Sequence, residues 1–109
     1  MHSTLIVGRM QPQWSGDVAR LFGAFDQTEM PQLMGTKRRE LFSYHGLYFH
    51  LQDFDGEHGG QRIQEARTDP RFIQISADLK AYIEAYDPAT WQSPADAIAT
   101  RLYHWAPSA

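Results

Sequence analysis

The sequence contains no cysteine, which excludes disulfide bonds and thiolate chemistry from any account of its stability or activity. It also lacks long apolar runs: no stretch approaches the roughly 20 consecutive apolar residues that a membrane-spanning helix needs. The first four residues, Met-His-Ser-Thr, have neither the charged region nor the apolar region of a secretory signal. These absences lead us to expect a cytoplasmic protein with no membrane partner.

Positive charge is scarce as well. The formal net charge is −3 and the sequence pI is about 5.9, whereas a nucleic-acid-binding domain carries a basic face. The one basic run, Lys37-Arg38-Arg39, is short and is followed by Glu40. No two histidines have the H-x-x-x-H spacing of a helical zinc site, and no single element carries a carboxylate–histidine cluster. The sequence therefore predicts no nucleic acid and no metal as a ligand.

What is present fits one globular domain that spans residues 1–109. Hydrophobic residues make up 42% of the chain, and we find no internal repeat, linker or low-complexity tract. A domain of this size buries only about two thirds of its unfolded surface, so its core is modest. Pairing with a second copy would add to that core.

Hydrophobic periodicity and turn residues predict the element order β-α-β-β-α-α-β. In the second long helix, Asp69 is the expected N-cap and Pro70 the first helical residue. The order predicts an α+β fold of the ferredoxin-like split βαβ type, in which helices cover one face of the sheet. The bare second face leads us to expect a dimer formed sheet on sheet. The predicted elements are a strand at 4–10, a helix from Ser15 (as N-cap) to Phe25, a loop at 27–36, strands at 37–44 and 47–53, a short helix at 61–67, a helix at 70–86 and a last strand at 97–105.

A two-residue turn at His45-Gly46 fixes the register of the two central strands. Glycine at the second position suits a type I′ turn, and histidine tolerates positive φ better than most residues. One face of the hairpin then mixes polar and apolar groups, while the other face is almost wholly apolar. The mixed face holds the pairs Arg39–Gln52, Leu41–His50 and Ser43–Tyr48; the apolar face holds Glu40–Leu51, Phe42–Phe49 and Tyr44–Leu47.

The mixed face carries the candidate chemistry. Arg39 and His50 are diagonal neighbours, roughly 7–8 Å apart at the backbone. A guanidinium stabilises a developing enolate, and a histidine moves protons near neutrality. Asp26, at the end of the first helix, is placed to orient the histidine or to act as a base. The competing interpretation makes Arg39 a solvated strand residue and His50 a hydrogen-bonded structural histidine.

Other residues are candidates for contact with a substrate. Tyr48 and Ser43 share the mixed face with Arg39, and Phe25 precedes Asp26 at the helix end. Arg9 alternates with apolar residues of the first strand, so it either reaches the same pocket or extends its guanidinium from the strand end into solvent.

Several motifs, taken in order, resemble the TcmI-type (tetracenomycin) aromatic polyketide cyclase family over essentially the whole chain. The central hairpin is the longest of them. The matching segments are Gly8-Arg9-Met10, Phe25-Asp26-Gln27-Thr28-Glu29-Met30-Pro31, Gly35, Lys37-Arg38-Arg39, Leu41-Phe42, Tyr44-His45-Gly46-Leu47-Tyr48-Phe49-His50-Leu51, Gln64-Glu65-Ala66-Arg67 with Asp69-Pro70, and Tyr103-His104-Trp105-Ala106-Pro107.

The resemblance implies a dimeric α+β barrel that closes rings on aromatic polyketide intermediates without a metal or an organic cofactor. It implies active-site roles for Arg39, His50 and Asp26. The tetracenomycin member of the family has a histidine where this chain has Phe25, so one acid/base group is missing and this end of the pocket is more apolar. Other polyketide synthase components are further candidate partners, in a pathway to a pigment or an antibiotic.

The expected reaction is an intramolecular aldol condensation followed by dehydration, which closes and aromatises a ring of a poly-β-ketone. Two alternatives stay open on the sequence. One is a cofactor-independent oxygenase of the same barrel fold that acts on a polyketide quinol, and the other is a non-catalytic protein that binds the intermediate.

Overall fold

The computed structural model describes residues 2–56, 59–91 and 94–107 of the chain. Four strands and four helices make up its regular structure, and 3₁₀ turns at Pro12–Trp14 and Pro94–Ala97 complete it. The strands are β1 (His2–Met10), β2 (Thr36–Tyr44), β3 (Leu47–Phe54) and β4 (Ile83–Ala85), and the helices are α1 (Ser15–Asp26), α2 (Met30–Met34), α3 (Gly59–Ala66) and α4 (Pro70–Leu79).

The strands form one antiparallel sheet in the order β2-β3-β1-β4. The connection from β1 through α1 and α2 leads to β2, which leaves a gap that β3 fills, as the split βαβ arrangement requires. The predicted ferredoxin-like α+β fold is therefore confirmed. Among the described residues, no helix is long and apolar enough to cross a bilayer.

The hairpin of β2 and β3 has the predicted register throughout its upper part, including the Arg39–Gln52 and Leu41–His50 pairs. The turn residues His45 and Gly46 both have positive φ, 47° and 83°, as a type I′ turn requires. Near the start of β2, the register shifts by one between Thr36 and Arg38, so Lys37 forms a β-bulge.

The core lies between the helices and one face of the sheet. On α1 the residues Val18, Phe22 and Phe25 recur at helical spacing and are buried against it. The strands contribute alternate residues to the same layer. The buried apolar cluster consists of Met10, Val18, Phe22, Phe25, Met30, Met34, Tyr48 and Ile75.

The end of the chain differs from the prediction. The helix predicted to run to residue 86 ends at Leu79, and β4 (Ile83–Ala85) pairs with the free edge of β1 instead. The edge of β1 supplies backbone partners to this segment, and sheet pairing outweighs the helical spacing of its aromatic residues. The strand predicted at 97–105 is wrong: its contact with the sheet is one bridge between Ile98 and Ile6.

Two smaller predictions were also wrong. The segment 27–36 is not all loop but contains α2, because Pro31 is tolerated in a first helical turn and Gly35, with φ of 73°, caps the end. Ser15 does not cap α1; its hydroxyl donates to the carbonyl of Pro12, 2.8 Å away. The short helix predicted at 61–67 is confirmed and spans Gly59–Ala66. The Asp69 cap with Pro70 is confirmed, and His58 lies outside the described residues.

The second face of the sheet is uncovered in the single chain. Phe42 and Tyr44, on the apolar face of the hairpin, are 50% and 65% exposed. Residues 99–107, which we call the C-terminal arm, leave the sheet after Ala99 donates a backbone hydrogen bond to Leu5 at 2.7 Å. The arm carries Leu102 and Trp105 at 95% and 70% exposure.

Candidate active site

Arg39 extends from β2 to the C-terminal end of α1, where it pairs with Asp26. Its Nε lies 3.1 and 3.0 Å from the two carboxylate oxygens, and its Nη2 lies 2.9 Å from Oδ1. Only 7% of the Arg39 side chain is exposed, compared with 36% of that of Asp26. A two-pronged contact of this kind fixes the plane of the guanidinium, and the carboxylate forms the solvent-facing side of the pair.

The third nitrogen of the same guanidinium contacts His50. Arg39 Nη1 donates to His50 Nε2 at 2.9 Å. A guanidinium has no acceptor, so Nε2 must be unprotonated and the neutral ring carries its proton on Nδ1. Burial, and then the charge of Arg39, lower the pKa of His50 to about 3. The sequence-based expectation of a histidine that titrates near neutrality is therefore wrong, because its neighbours stabilise the neutral ring.

Aromatic rings form the walls of this cluster. The Phe22 ring meets the His50 ring edge-on at 5.1 Å between centroids. The Cζ of Arg39 lies 4.8 Å from the Phe22 centroid and 5.7 Å from that of Phe25. These contacts are within cation–π range, and they exclude water from one side of the guanidinium. Charge developed beside Arg39 would therefore be weakly screened.

Tyr48 lies two residues before His50 on β3, and the centroids of the two rings are 6.3 Å apart. The side chain is 3% exposed, and burial raises the pKa of Tyr48 well above its usual range despite the opposing effect of Arg39. The phenol therefore stays protonated at all working pH values. It offers a neutral hydrogen-bond donor on the same face as His50.

The structure brings together five of the seven predicted site residues: Arg39, His50, Asp26, Phe25 and Tyr48. The other two stand apart. Ser43 shares the sheet face but is exposed near the turn. Arg9 pairs in register with Leu47 and Glu84, which places it on the opposite face of the sheet.

Arg9 is held at that position by Tyr86, the residue that follows β4. Its Nε donates to the carbonyl of Tyr86 at 3.2 Å, and its Cζ lies 4.4 Å from the Tyr86 ring centroid. Arg9 also borders a groove of about 270 Å³ at the end of β1, where Trp14 and Tyr82 form an aromatic wall. A second groove of about 260 Å³ lies between α2 and α3.

The prediction from sequence did not assign Gln52 or Thr4 to the site. Gln52 lies opposite Arg39 in register and is 3% exposed, so the hairpin register was the signal that pointed to it. Thr4, 6% exposed, lies opposite Gln52 on β1. No sequence signal could find Thr4, because the register of β1 on β3 is set by contacts distant in the chain. Within residues 2–56, 59–91 and 94–107, no group of three or more histidine or acidic side chains could hold a metal ion.

Comparison with known proteins gives consistent matches over nearly the full length. The family model described as polyketide synthesis cyclase matches residues 2–106. The chain is 44% identical to an uncharacterized protein of Streptomyces coelicolor, over 96% of this chain and 95% of the relative. It is 40% identical to polyketide synthase CurG of Streptomyces cyaneus (96% and 97% covered) and 34% identical to tetracenomycin F2 cyclase of Streptomyces glaucescens (95% and 94% covered).

Solved structures give the same picture. The structure of tetracenomycin F2 cyclase from Streptomyces glaucescens superimposes with a TM-score of 0.90 at 32% identity, covering 99% of this chain and 100% of that one. A putative antibiotic biosynthesis monooxygenase from Nitrosomonas europaea matches with a TM-score of 0.56 at 4% identity, covering 79% of this chain and 80% of that one. The second match shows a shared fold alone.

Proposed function

The chain belongs to the polyketide synthesis cyclase family, and from that premise we propose that it closes and aromatises a ring of a poly-β-ketone by intramolecular aldol condensation and dehydration. The reaction needs no cofactor in this proposal. The observation that carries it is the single cluster in which Arg39 contacts both Asp26 and His50. The family supplies the class of reaction, and the cluster supplies the groups for its steps.

The first step is enolisation of a methylene between two carbonyl groups. Such a methylene is acidic, and the Asp26 carboxylate, at the solvent-facing side of the cluster, takes its proton. The enolate that forms lies beside the weakly screened charge of Arg39, which stabilises it. Because enolisation needs little help, holding one fold of the chain supplies the larger part of the selectivity.

Carbon–carbon bond formation follows between the enolate carbon and a ketone carbon of the same chain. The neutral His50 ring donates its Nδ1–H to the attacked carbonyl oxygen, since its Nε2 is occupied by Arg39. The Asp26 carboxyl returns the proton it took to the resulting alkoxide, which regenerates the carboxylate. Loss of the new hydroxyl together with a hydrogen of the adjacent methylene, as water, then gives the aromatic ring. His50 acts here as a hydrogen-bond donor of fixed tautomer rather than as a base.

Product profiling tests this function. A minimal polyketide synthase with its early-acting enzymes is run with and without the protein, and the products are separated and weighed by mass spectrometry. We expect a new cyclised product of unchanged oxidation level, which is lost with Arg39→Ala/His50→Ala. The matched control is Arg20→Ala, an arginine on α1 whose side chain is 73% exposed.

The other outcomes would contradict the proposal in different ways. A product that gains an oxygen atom, with consumption of O₂, indicates the oxygenase. An unchanged product spectrum, together with binding of the intermediate, indicates the non-catalytic binding protein.

We also propose that the protein works as a homodimer in which the uncovered sheet faces pack on each other. Phe42 and Tyr44 expose half or more of their side chains, a pattern that marks an interaction surface on a small domain. In this proposal the C-terminal arm, in which Leu102 is 95% and Trp105 70% exposed, packs on the second copy. Two copies related by a twofold axis would cover both features at once.

Phe42→Asp is expected to convert the dimer into a monomer, because a charge in the centre of an apolar interface is costly to bury. Ile73→Asp is the matched control, since Ile73 is 54% exposed on the helix side. Molar mass by light scattering after gel filtration measures the outcome. A wild-type protein that elutes as a monomer would refute the dimer.

A further inference from the structure

The hydroxyl of Thr4 is the starting observation. Thr4 is 6% exposed, and its Oγ1 is a buried side-chain atom without a hydrogen-bond partner in the described part of the chain. A buried hydroxyl without a partner is costly, and a valine of the same shape would avoid that cost. Buried polar atoms left unpaired in a native fold are uncommon, and they cluster where a ligand or a water completes them.

The position of Thr4 relates this hydroxyl to the candidate active site. Arg39, Gln52 and Thr4 lie opposite one another on β2, β3 and β1, so they form one row across three strands. Neighbouring members of the row are about 4.7–4.9 Å apart at the backbone. From the Asp26–Arg39 pair, the row leads across β3 to β1 on the helix-covered face of the sheet.

Gln52, the middle member, also has unused hydrogen-bonding capacity. Its Nε2 donates to the hydroxyl of Thr36 at 2.9 Å, which fixes the amide. Within the described residues, its Oε1 accepts no hydrogen bond and, unlike Thr4 Oγ1, is not fully buried, although Gln52 as a whole is 3% exposed. Because one hydrogen of Nε2 fixes the amide on Thr36, the Oε1 atom and the second Nε2 hydrogen are left to accept from and donate to a bound molecule.

We propose that Thr4 and Gln52 form a specificity-determining row that binds oxygens of the polyketide beyond the reacting carbons. This inference rests on the proposed cyclase function. Carbonyl carbons in a poly-β-ketone recur every two carbon–carbon bonds of about 1.5 Å, so every second oxygen repeats at about 5 Å, close to the strand spacing. A hydroxyl both donates and accepts, which suits oxygens that interconvert between keto and enol forms. The row thereby sets which ketone lies against Arg39.

Thr4→Val tests the row, because it removes the hydroxyl and keeps the shape. We expect the melting temperature of the free protein to rise, since an unpaired buried hydroxyl is gone. In the reconstituted synthase, we expect the yield of the correct product to fall about fivefold to tenfold at limiting substrate, while products cyclised between the wrong carbons increase. Thr90→Val is the control, since it removes an exposed hydroxyl far from the row.

Each other outcome overturns the inference. A Thr4→Val protein that is more stable and gives an unchanged product distribution shows that the hydroxyl contacts no substrate and at most holds a water. If Thr4→Val folds poorly, Thr4→Ser keeps the hydroxyl and must restore the product distribution, and failure to do so overturns the row. If the wild-type protein forms no cyclised product, the proposed function fails and the row falls with it. A wild-type protein that cyclises normally confines any failure to the row.

Discussion

Acidification from about pH 6 to about pH 4 is expected to lower the free energy of unfolding by on the order of 1 kcal/mol per pH unit through His50 alone. Burial beside Arg39 lowers the pKa of His50 to about 3 in the folded protein, from 6.5. Between those values the unfolded chain binds a proton that the folded chain does not. The stability is fully present above the unfolded pKa and is lost as pH falls toward the folded pKa.

Urea unfolding at several pH values measures this effect. His50→Gln removes the titrating group and retains an acceptor for Arg39, so its unfolding free energy should fall less steeply over the same window. His104→Gln is the control, because His104 is exposed in the C-terminal arm. Equal slopes for the wild type and His50→Gln would show that His50 is protonated in the folded protein.

Replacement of Arg39 by methionine is expected to lower the rate of cyclisation by at least about 100-fold, since the enolate loses its counter-charge in a site that excludes water. Methionine is an unbranched side chain that fills part of the space beside the Phe22 ring, where the Cζ of Arg39 lies 4.8 Å from the ring centroid. Loss of the arginine also removes one of the two causes that lower the pKa of His50. That pKa should therefore rise, while burial keeps it below 6.5.

Two measurements separate catalysis from structure in this variant. The yield of cyclised product reports the chemistry, and NMR titration of the His50 ring reports the local charge. Arg39→Lys keeps the positive charge but loses the planar guanidinium that contacts Asp26 and His50. We therefore expect the pKa of His50 in Arg39→Lys to stay close to the wild-type value, while the rate of cyclisation falls. Full activity in Arg39→Met would reduce Arg39 to a structural residue.

The central hairpin could be predicted from the sequence because its information is local. His45-Gly46 determines the turn, the turn determines the register, and the register places Arg39 beside His50. Asp26 followed from the end of a strongly periodic helix. The elements that failed depend on partners distant in the chain. The segment Ile83–Ala85 has the spacing of a helix and becomes a strand because the edge of β1 is free.

The same distinction separates the site residues. Arg9 alternates correctly along β1, but only the pairing of β1 with β3 decides which face it occupies. The low pKa of His50 could likewise not be predicted from the sequence, since it results from burial and from the positive charge of Arg39 beside the ring. Residue types and spacing identify candidates, while the three-dimensional contacts determine their protonation.

The bulge at Lys37 shifts the alternation of side chains between the two faces of the sheet, so β2 follows one alternation before Lys37 and the other after it. Above it, odd-numbered residues such as Arg39 face the helices; below it, the even-numbered Thr36 does, and its hydroxyl meets Gln52. Deletion of Lys37 would restore one regular alternation along β2. Arg39 would keep its position opposite Gln52. Thr36 would keep its partner Phe54, and Arg38 its partner Asp53, because Lys37 is the extra residue on β2. A change of length at Lys37 would therefore alter the local bend of β2 beside Gln52 and leave the Arg39 cluster intact.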